Sequence, residues 1–216
     1  MASGISDQTS PDSTKVGAWL FRHRTAIPIP IALALLVIPG GGTAADWTLI
    51  LVGVILTLGG EALRLAAVHQ IGVISRTRSE RLGPLVTSGP FGRIRNPLYV
   101  GNVMIWTGFA LTAELLWAAP IVAVLLLAEY HAIVGWEEQL LGSRFGDAYT
   151  AYRAAVPRWF PTPGARPRTP PSADQAAPGT EGTRHAFSWR DTFFSERGTL
   201  LAIAIGYGLL WLKARF

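Results

Sequence analysis

Five stretches of this chain carry no charged residue: 25–45, 47–60, 96–113, 115–128 and 199–212. Polar and charged residues bunch between them. A bilayer core is crossed by about 20 predominantly apolar residues in a helix. The first and third stretches approach that length alone, and the others reach it with flanking polar residues. The pattern predicts an all-α, polytopic membrane protein with about five membrane helices. They run roughly over 25–38, 47–68, 97–112, 115–136 and 199–212. Pro28, Pro30 and Pro97 stand at helix starts, where a missing N–H costs least.

The intervening segments divide the chain. Residues 1–18 read as a disordered N-terminus, with Ser, Asp and Thr crowded before residue 15. The N-terminal membrane helices occupy 19–68. A core of basic loop, helical hairpin and amphipathic cap occupies 69–162. The Pro/Ala/Gly/Thr-rich stretch 163–186 reads as a disordered linker. An interfacial segment and a short last membrane helix fill 187–216. Within the basic loop, 73–77 suits a short strand or an interfacial segment. The two helices of the hairpin are joined by about two residues. After them, Leu141, Phe145, Tyr149 and Tyr152 recur at helical spacing, with Gly142 and Gly146 interrupting.

Composition agrees with a membrane location. Half of the 216 residues are hydrophobic and only 15% are charged, too apolar for an ordinary soluble domain. The net charge of +5 sits in loops beside apolar spans, so it reads as topology and not as nucleic-acid binding. Arg22 and Arg24 precede the first span, and Arg76, Arg78, Arg81, Arg93 and Arg95 follow the second, while 40–46 has no Lys or Arg. The positive-inside rule puts the N-terminus and the basic loop in the cytoplasm. A multi-pass protein of the cell membrane, in contact with the lipid bilayer, is the expectation. Cys is absent, which removes thiolate nucleophiles and Cys-ligated metals. The four His are scattered without metal-ligand spacing, so no metal site is expected.

Chemistry concentrates at one membrane face. Arg93, Arg95, Asn96 and Tyr99 open the third span. About 40 residues later Glu137 and Glu138 close the fourth, followed by Tyr149, Tyr152 and Arg158. A hairpin returns both groups to the same side. Arginine can clamp a carboxylate, glutamate can accept from ribose hydroxyls, and tyrosine can face a purine. Each residue alone also has a bland reading as an interfacial anchor or a solvated helix end. Glu61 and Arg64, at i and i+3 near the end of the second span, suit either an interfacial ion pair or the lining of a polar cavity.

The stretch Leu85-Val86-Thr87-Ser88-Gly89-Pro90-Phe91-Gly92-Arg93-Ile94-Arg95-Asn96-Pro97-Leu98-Tyr99-Val100-Gly101-Asn102 resembles the cofactor-site stretch of the isoprenylcysteine carboxyl methyltransferase and phospholipid methyltransferase families. Glu137-Glu138, Leu141, Phe145-Gly146, Tyr149, Tyr152 and Val156-Pro157-Arg158 resemble the second half of the same signature. The resemblance covers roughly 83–161. It implies an integral-membrane methyltransferase that uses S-adenosyl-L-methionine in a cytoplasm-facing pocket, with a lipophilic or small-molecule methyl acceptor. Carried onto this chain, Asn96, Tyr99, Gly101, Asn102, Glu137, Glu138, Tyr149 and Arg158 become cofactor-binding candidates. Glu138 and Arg95 become the catalytic candidates, and His131 a weaker participant. Many members have His where this chain has Asn96, and Asn cannot titrate. The competing expectation is a non-catalytic membrane scaffold or transporter-like protein whose polar ends are anchors.

Overall fold

The computed structural model describes residues 11–40, 42, 45–71, 85–161 and 188–215. Among them every regular element is helical, apart from turns. In chain order these are α1 (Pro11–His23), α2 (Pro28–Val37), α3 (Trp47–Ile71), α4 (Pro97–Thr112), α5 (Ala118–Ala155) and α6 (Trp189–Lys213). A 3-10 turn at Gly89–Gly92 leads into α4. The expected strand at 73–77 and the expected linker at 163–186 lie outside the described residues.

Two helices, α3 and α5, are long and apolar enough to cross a membrane. Residues Lys15–His23 and Pro28–Val37, bent by 53° at their junction, make a third if they act as one span. The remaining two expected spans do not reach that standard. At 16 residues, α4 is about 24 Å long, against roughly 30 Å of hydrocarbon. The 25 residues of α6 carry Arg190, Asp191, Glu196 and Arg197 in their first half.

Helix boundaries depart from the sequence reading in four places, each for a local reason. Helix starts at Pro11, inside the stretch expected to be unstructured, and α1 packs along α5. Gly17 permits that approach, because a Cβ there would lie 2.7 Å from the Trp136 Cβ, and the Phe21 ring packs tilted at 4.9 Å against that of Trp136. Secondly, α5 runs unbroken through Glu137 and Glu138. Gly142 is helical, and only Gly146 breaks the geometry, with φ 50° and ψ −122°. Thirdly, the α4–α5 connection spans 113–117, and Leu115 is 1% exposed within it. Finally, the interfacial segment and the last span are one helix, started by Ser188. Its Oγ accepts from the Asp191 N–H at 3.2 Å.

The tightest packing is between α3 and α4. On α3, Gly53, Thr57, Gly60 and Arg64 repeat at four-three-four spacing. Gly101, Ile105, Gly108 and Thr112 do the same on α4 and run the opposite way. A Cβ on Gly53 would lie 2.6 Å from the Gly108 carbonyl oxygen, and one on Gly60 would lie 2.6 Å from that of Gly101. Small residues let the two backbones touch, which is how helices gain dispersion energy where lipid removes the hydrophobic drive. The main core is then built by α4 and α5, from Ile105, Phe109, Leu126, Tyr130 and Ile133, with Leu210 of α6 and Leu35 of α2 on its edge.

Candidate functional site

The end of α4 that carries Pro97 meets the middle of α5 and the extended chain that follows it. The backbone ties these pieces first. The Arg95 N–H donates to the Pro157 carbonyl at 2.9 Å, and Asn96 Nδ2 donates to the Arg158 carbonyl at 3.1 Å. Tyr152, on the far side of the Gly146 break, donates its hydroxyl to the Phe91 carbonyl at 2.8 Å. Tyr149 and Tyr152 sit with Val156 in a small second core against Leu85, Leu141 and Phe145. The 3-10 turn, the start of α4 and the chain after α5 are thereby held as one assembly.

Charges close on Glu138 at the centre. Arg158 grips it bidentately, Nη2 to Oε2 at 2.6 Å and Nε to Oε1 at 3.1 Å. Arg95 Nη2 reaches Oε1 at 3.2 Å. Such forked, charge-assisted contacts are the strong class of hydrogen bond. Arg158 Nη1 also stands 3.5 Å from His131 Nε2. One helical position earlier, Glu137 accepts from the Tyr99 hydroxyl at 3.0 Å. The Tyr99 ring lies 4.7 Å from that of Tyr130.

One feature distinguishes this cluster from a finished ion-pair network. The Arg95 side chain is 9% exposed, yet its Nε and Nη1 have no hydrogen-bond partner among the described residues. A buried guanidinium with two unused donors is costly to leave so. S-adenosyl-L-methionine carries a carboxylate, a ribose diol and an adenine. The unused Arg95 donors suit the first, Glu137 and Glu138 suit the second, and the Tyr99 and Tyr149 rings suit the third. The residues present fit the group.

The cofactor-binding candidates divide between two places. Asn96, Tyr99, Glu137, Glu138 and Arg158 come together with Arg95, and Tyr149 stands close enough to feel the charges of Glu138, Arg95 and Arg158. Gly101 turns the other way, and Asn102 lies between the two places, bonded to Tyr130 on one side and Arg64 on the other. A Cβ on Gly101 would meet Arg64 Cγ at 2.6 Å and the Gly60 carbonyl at 2.7 Å, so this glycine serves helix packing. Asn102 Oδ1 accepts from Arg64 Nη1.

That arginine centres a second polar cluster, inside the helix bundle. Arg64 Nη2 binds Glu196 Oε2 at 2.8 Å and Thr199 Oγ1 at 3.2 Å, and Nε faces Glu61 Oε2 at 3.4 Å. Next to it, His69 Nδ1 lies 3.1 Å from Thr192 Oγ1, and its ring stacks on Trp189 at 4.2 Å. The two sequence readings of Glu61 and Arg64 thus resolve into a buried joint between α3 and α6. Sequence reasoning missed Glu196 and Thr199, which it assigned to an interfacial segment and an apolar span. The available signal was Arg64 itself, since a charge inside an apolar helix calls for partners on other helices. Arg24 was also missed. It lies at the bend after α1, with its guanidinium 3.9 Å over the Phe21 ring, and its charge acts on Glu137 and Tyr99.

Residues 48–148 match the family described as phospholipid methyltransferase. The matched stretch holds α3, α4 and most of α5, and the match bears out the resemblance read from the motifs. A cobalt-zinc-cadmium resistance protein, CzcN, of Cupriavidus metallidurans is 29% identical over 146 residues, 66% of either chain. A nickel-cobalt-cadmium resistance protein, NccN, of Alcaligenes xylosoxydans xylosoxydans is 28% identical over 145 residues, 67% of either chain. The chain thus matches about two thirds of the length of these curated relatives. No solved structure matches. Among the described residues, no group of three or more His, Cys, Asp or Glu side chains is arranged to hold a metal ion.

Proposed function

We propose that this protein is a multi-pass membrane methyltransferase that moves a methyl group from S-adenosyl-L-methionine to a lipophilic or small acceptor. The observation that carries the reading is the Arg95–Glu138–Arg158 cluster, built from the family's motif residues and left with unused buried donors on Arg95. The family match supports it. On this reading about five helices contact the membrane, and the pocket faces the cytoplasm, as the distribution of arginines implies.

The cofactor, when bound, supplies an activated methyl group on a cationic sulfur. The chain's own residues do the rest. Arg95 and Arg158 orient Glu138, and the free face of Arg95 takes a carboxylate. Tyr99 holds Glu137 at a fixed angle. Asn96 pins the chain at Arg158, so its part is positional and it moves no proton. Tyr149, Tyr152 and Val156 exclude water from one side. Methyl transfer gains chiefly from holding two reactants in line and keeping water away. Where the acceptor is an amine or thiol, Glu137 or Glu138 is the nearest group able to take its proton.

The test is to incubate membranes containing the protein with methyl-labelled cofactor and follow the label into lipid, small thiol or protein carboxylate. Transfer that requires Glu138 supports the reading. Absence of both saturable cofactor binding and transfer would overturn it in favour of a scaffold.

A further inference from the structure

A cavity of about 400 Å³ opens between α2, α4 and α6. Its walls are apolar, with Leu35 from α2, Phe109 from α4, and Ile203 and Leu209 from α6. Two residues with polar side chains, Asn102 and Thr199, also line it, and both lie at one end. From Thr199 to Leu210 the cavity follows α6 for about 16 Å. Lys213 Nζ donates to the Leu35 carbonyl at 2.7 Å and ties α6 to α2 beyond the apolar end. The shape is directional, polar at one end and greasy along its length, and its size is that of a small-molecule site.

The polar end has a defined hydrogen-bonding character. Asn102 Oδ1 and Thr199 Oγ1 both accept from Arg64. What remains to meet a ligand is donors, from the Asn102 amide N–H that Tyr130 does not use and from the Thr199 hydroxyl. The same end adjoins the first cluster. Asn102 bonds Tyr130, the Tyr130 ring packs on Tyr99, and Tyr99 holds Glu137. A ligand lying in the cavity would therefore present its head toward the cofactor site. Thr199 and the whole α6 wall stand outside the family-matched stretch of 48–148.

We propose that the cavity between α2, α4 and α6 seats the hydrocarbon chain of the methyl acceptor, and that Asn102 and Thr199 receive a hydrogen-bond-accepting head. The inference rests on the methyltransferase reading. It makes α6 the element that selects the acceptor.

The experiment uses the full chain, purified in detergent, with two photolabels: a long-chain fatty methyl ester bearing a mid-chain diazirine, and the matching alkane. The ester is expected to label α4 and α6 peptides that line the cavity. Ala202, exposed on the cavity wall, offers a plug, and Ala202→Trp is expected to cut that labelling at least tenfold. Val124→Trp, on the exposed face of α5, is expected to leave it unchanged. Thr199→Val is expected to reduce the ester's advantage over the alkane about threefold to tenfold, the worth of one hydrogen bond. Labelling spread evenly over Leu51, Ile55 and Leu58 of α3 and indifferent to Ala202→Trp would overturn the inference. S-adenosyl-L-methionine binding is measured by calorimetry in the same samples. Cofactor binding without cavity labelling overturns the acceptor site alone. Cavity labelling without cofactor binding overturns the methyltransferase reading and the acceptor assignment with it, leaving a lipid-chain site.

Discussion

Two arginine–glutamate clusters lie in this protein, and their hydrogen bonding differs. Around Arg64, one guanidinium meets Glu61, Glu196, Asn102 and Thr199 from three helices, and its Nε, which makes no hydrogen bond, still stands at ion-pair distance from Glu61. Around Glu138, one carboxylate meets two guanidiniums, and Arg95 keeps buried donors that no described residue uses. In the first case the arginine is surrounded by acceptors and joins helices. In the second it is held in place with capacity to spare, as a binding site requires. Identical residue types give a joint or a site according to which partner is in excess.

The comparison breaks most readily at its two carboxylates. Glu138→Ala removes the carboxylate shared by Arg95 and Arg158 and leaves one buried and one partly buried cation uncompensated. A loss of about 3–5 kcal/mol in stability is expected, read as a lowered thermal unfolding midpoint in detergent, together with loss of cofactor binding. Glu196→Ala is expected to cost stability in the same range, because Arg64 loses its closest ion-pair partner. It should leave cofactor affinity within about threefold. Loss of cofactor binding from both variants alike would mean that the two clusters act as one.

Smaller changes sharpen the contrast. Gly60→Val pushes a side chain into the Gly101 backbone and should destabilise the α3–α4 pair by about 1–3 kcal/mol. The Arg64 cluster, which straddles that contact, should loosen first, visible as faster amide exchange in α6. Gly146→Ala places a side chain at φ 50°, ψ −122°, a backbone conformation that costs of order 1–3 kcal/mol without glycine. Its effect should appear as weakened cofactor binding, because Tyr149 and Tyr152 follow the break. Smallest is Tyr99→Phe, which removes one hydrogen bond from Glu137 and should weaken cofactor binding by no more than about tenfold.

Much of the Glu138 cluster was legible in the sequence because it is built from residues close to two motif blocks. Asn96, Tyr99, Glu137, Glu138 and Arg158 needed only a hairpin to bring them together. The Arg64 cluster was not, because its partners come from residues 61, 102, 196 and 199, and no local pattern links α6 to α3. Gly101 and Asn102 are assigned to the cofactor by the resemblance, as part of the motif that holds Tyr99. A helix turns about 100° per residue, so Gly101, two positions onward, faces α3. Asn102, three onward, lies one turn from Tyr99 and meets both Arg64 and Tyr130. The expected spans were read from charge-free stretches, which predict apolarity but not length. That is why α4 falls short and why 189–197 forms the first part of α6. The helix at Pro11 was hidden by a polar composition, and tertiary contact with Trp136 stabilises it.

On the proposed function, the Glu138 cluster binds the cofactor and the Arg64 cluster does not. Calorimetric titration of S-adenosyl-L-methionine into the purified protein, beside Arg158→Ala and Glu196→Gln, tests it most directly. Saturable binding to the unaltered protein is expected, with loss in Arg158→Ala and retention within about threefold in Glu196→Gln. Retained binding in Arg158→Ala, or no binding to the unaltered protein, would contradict it.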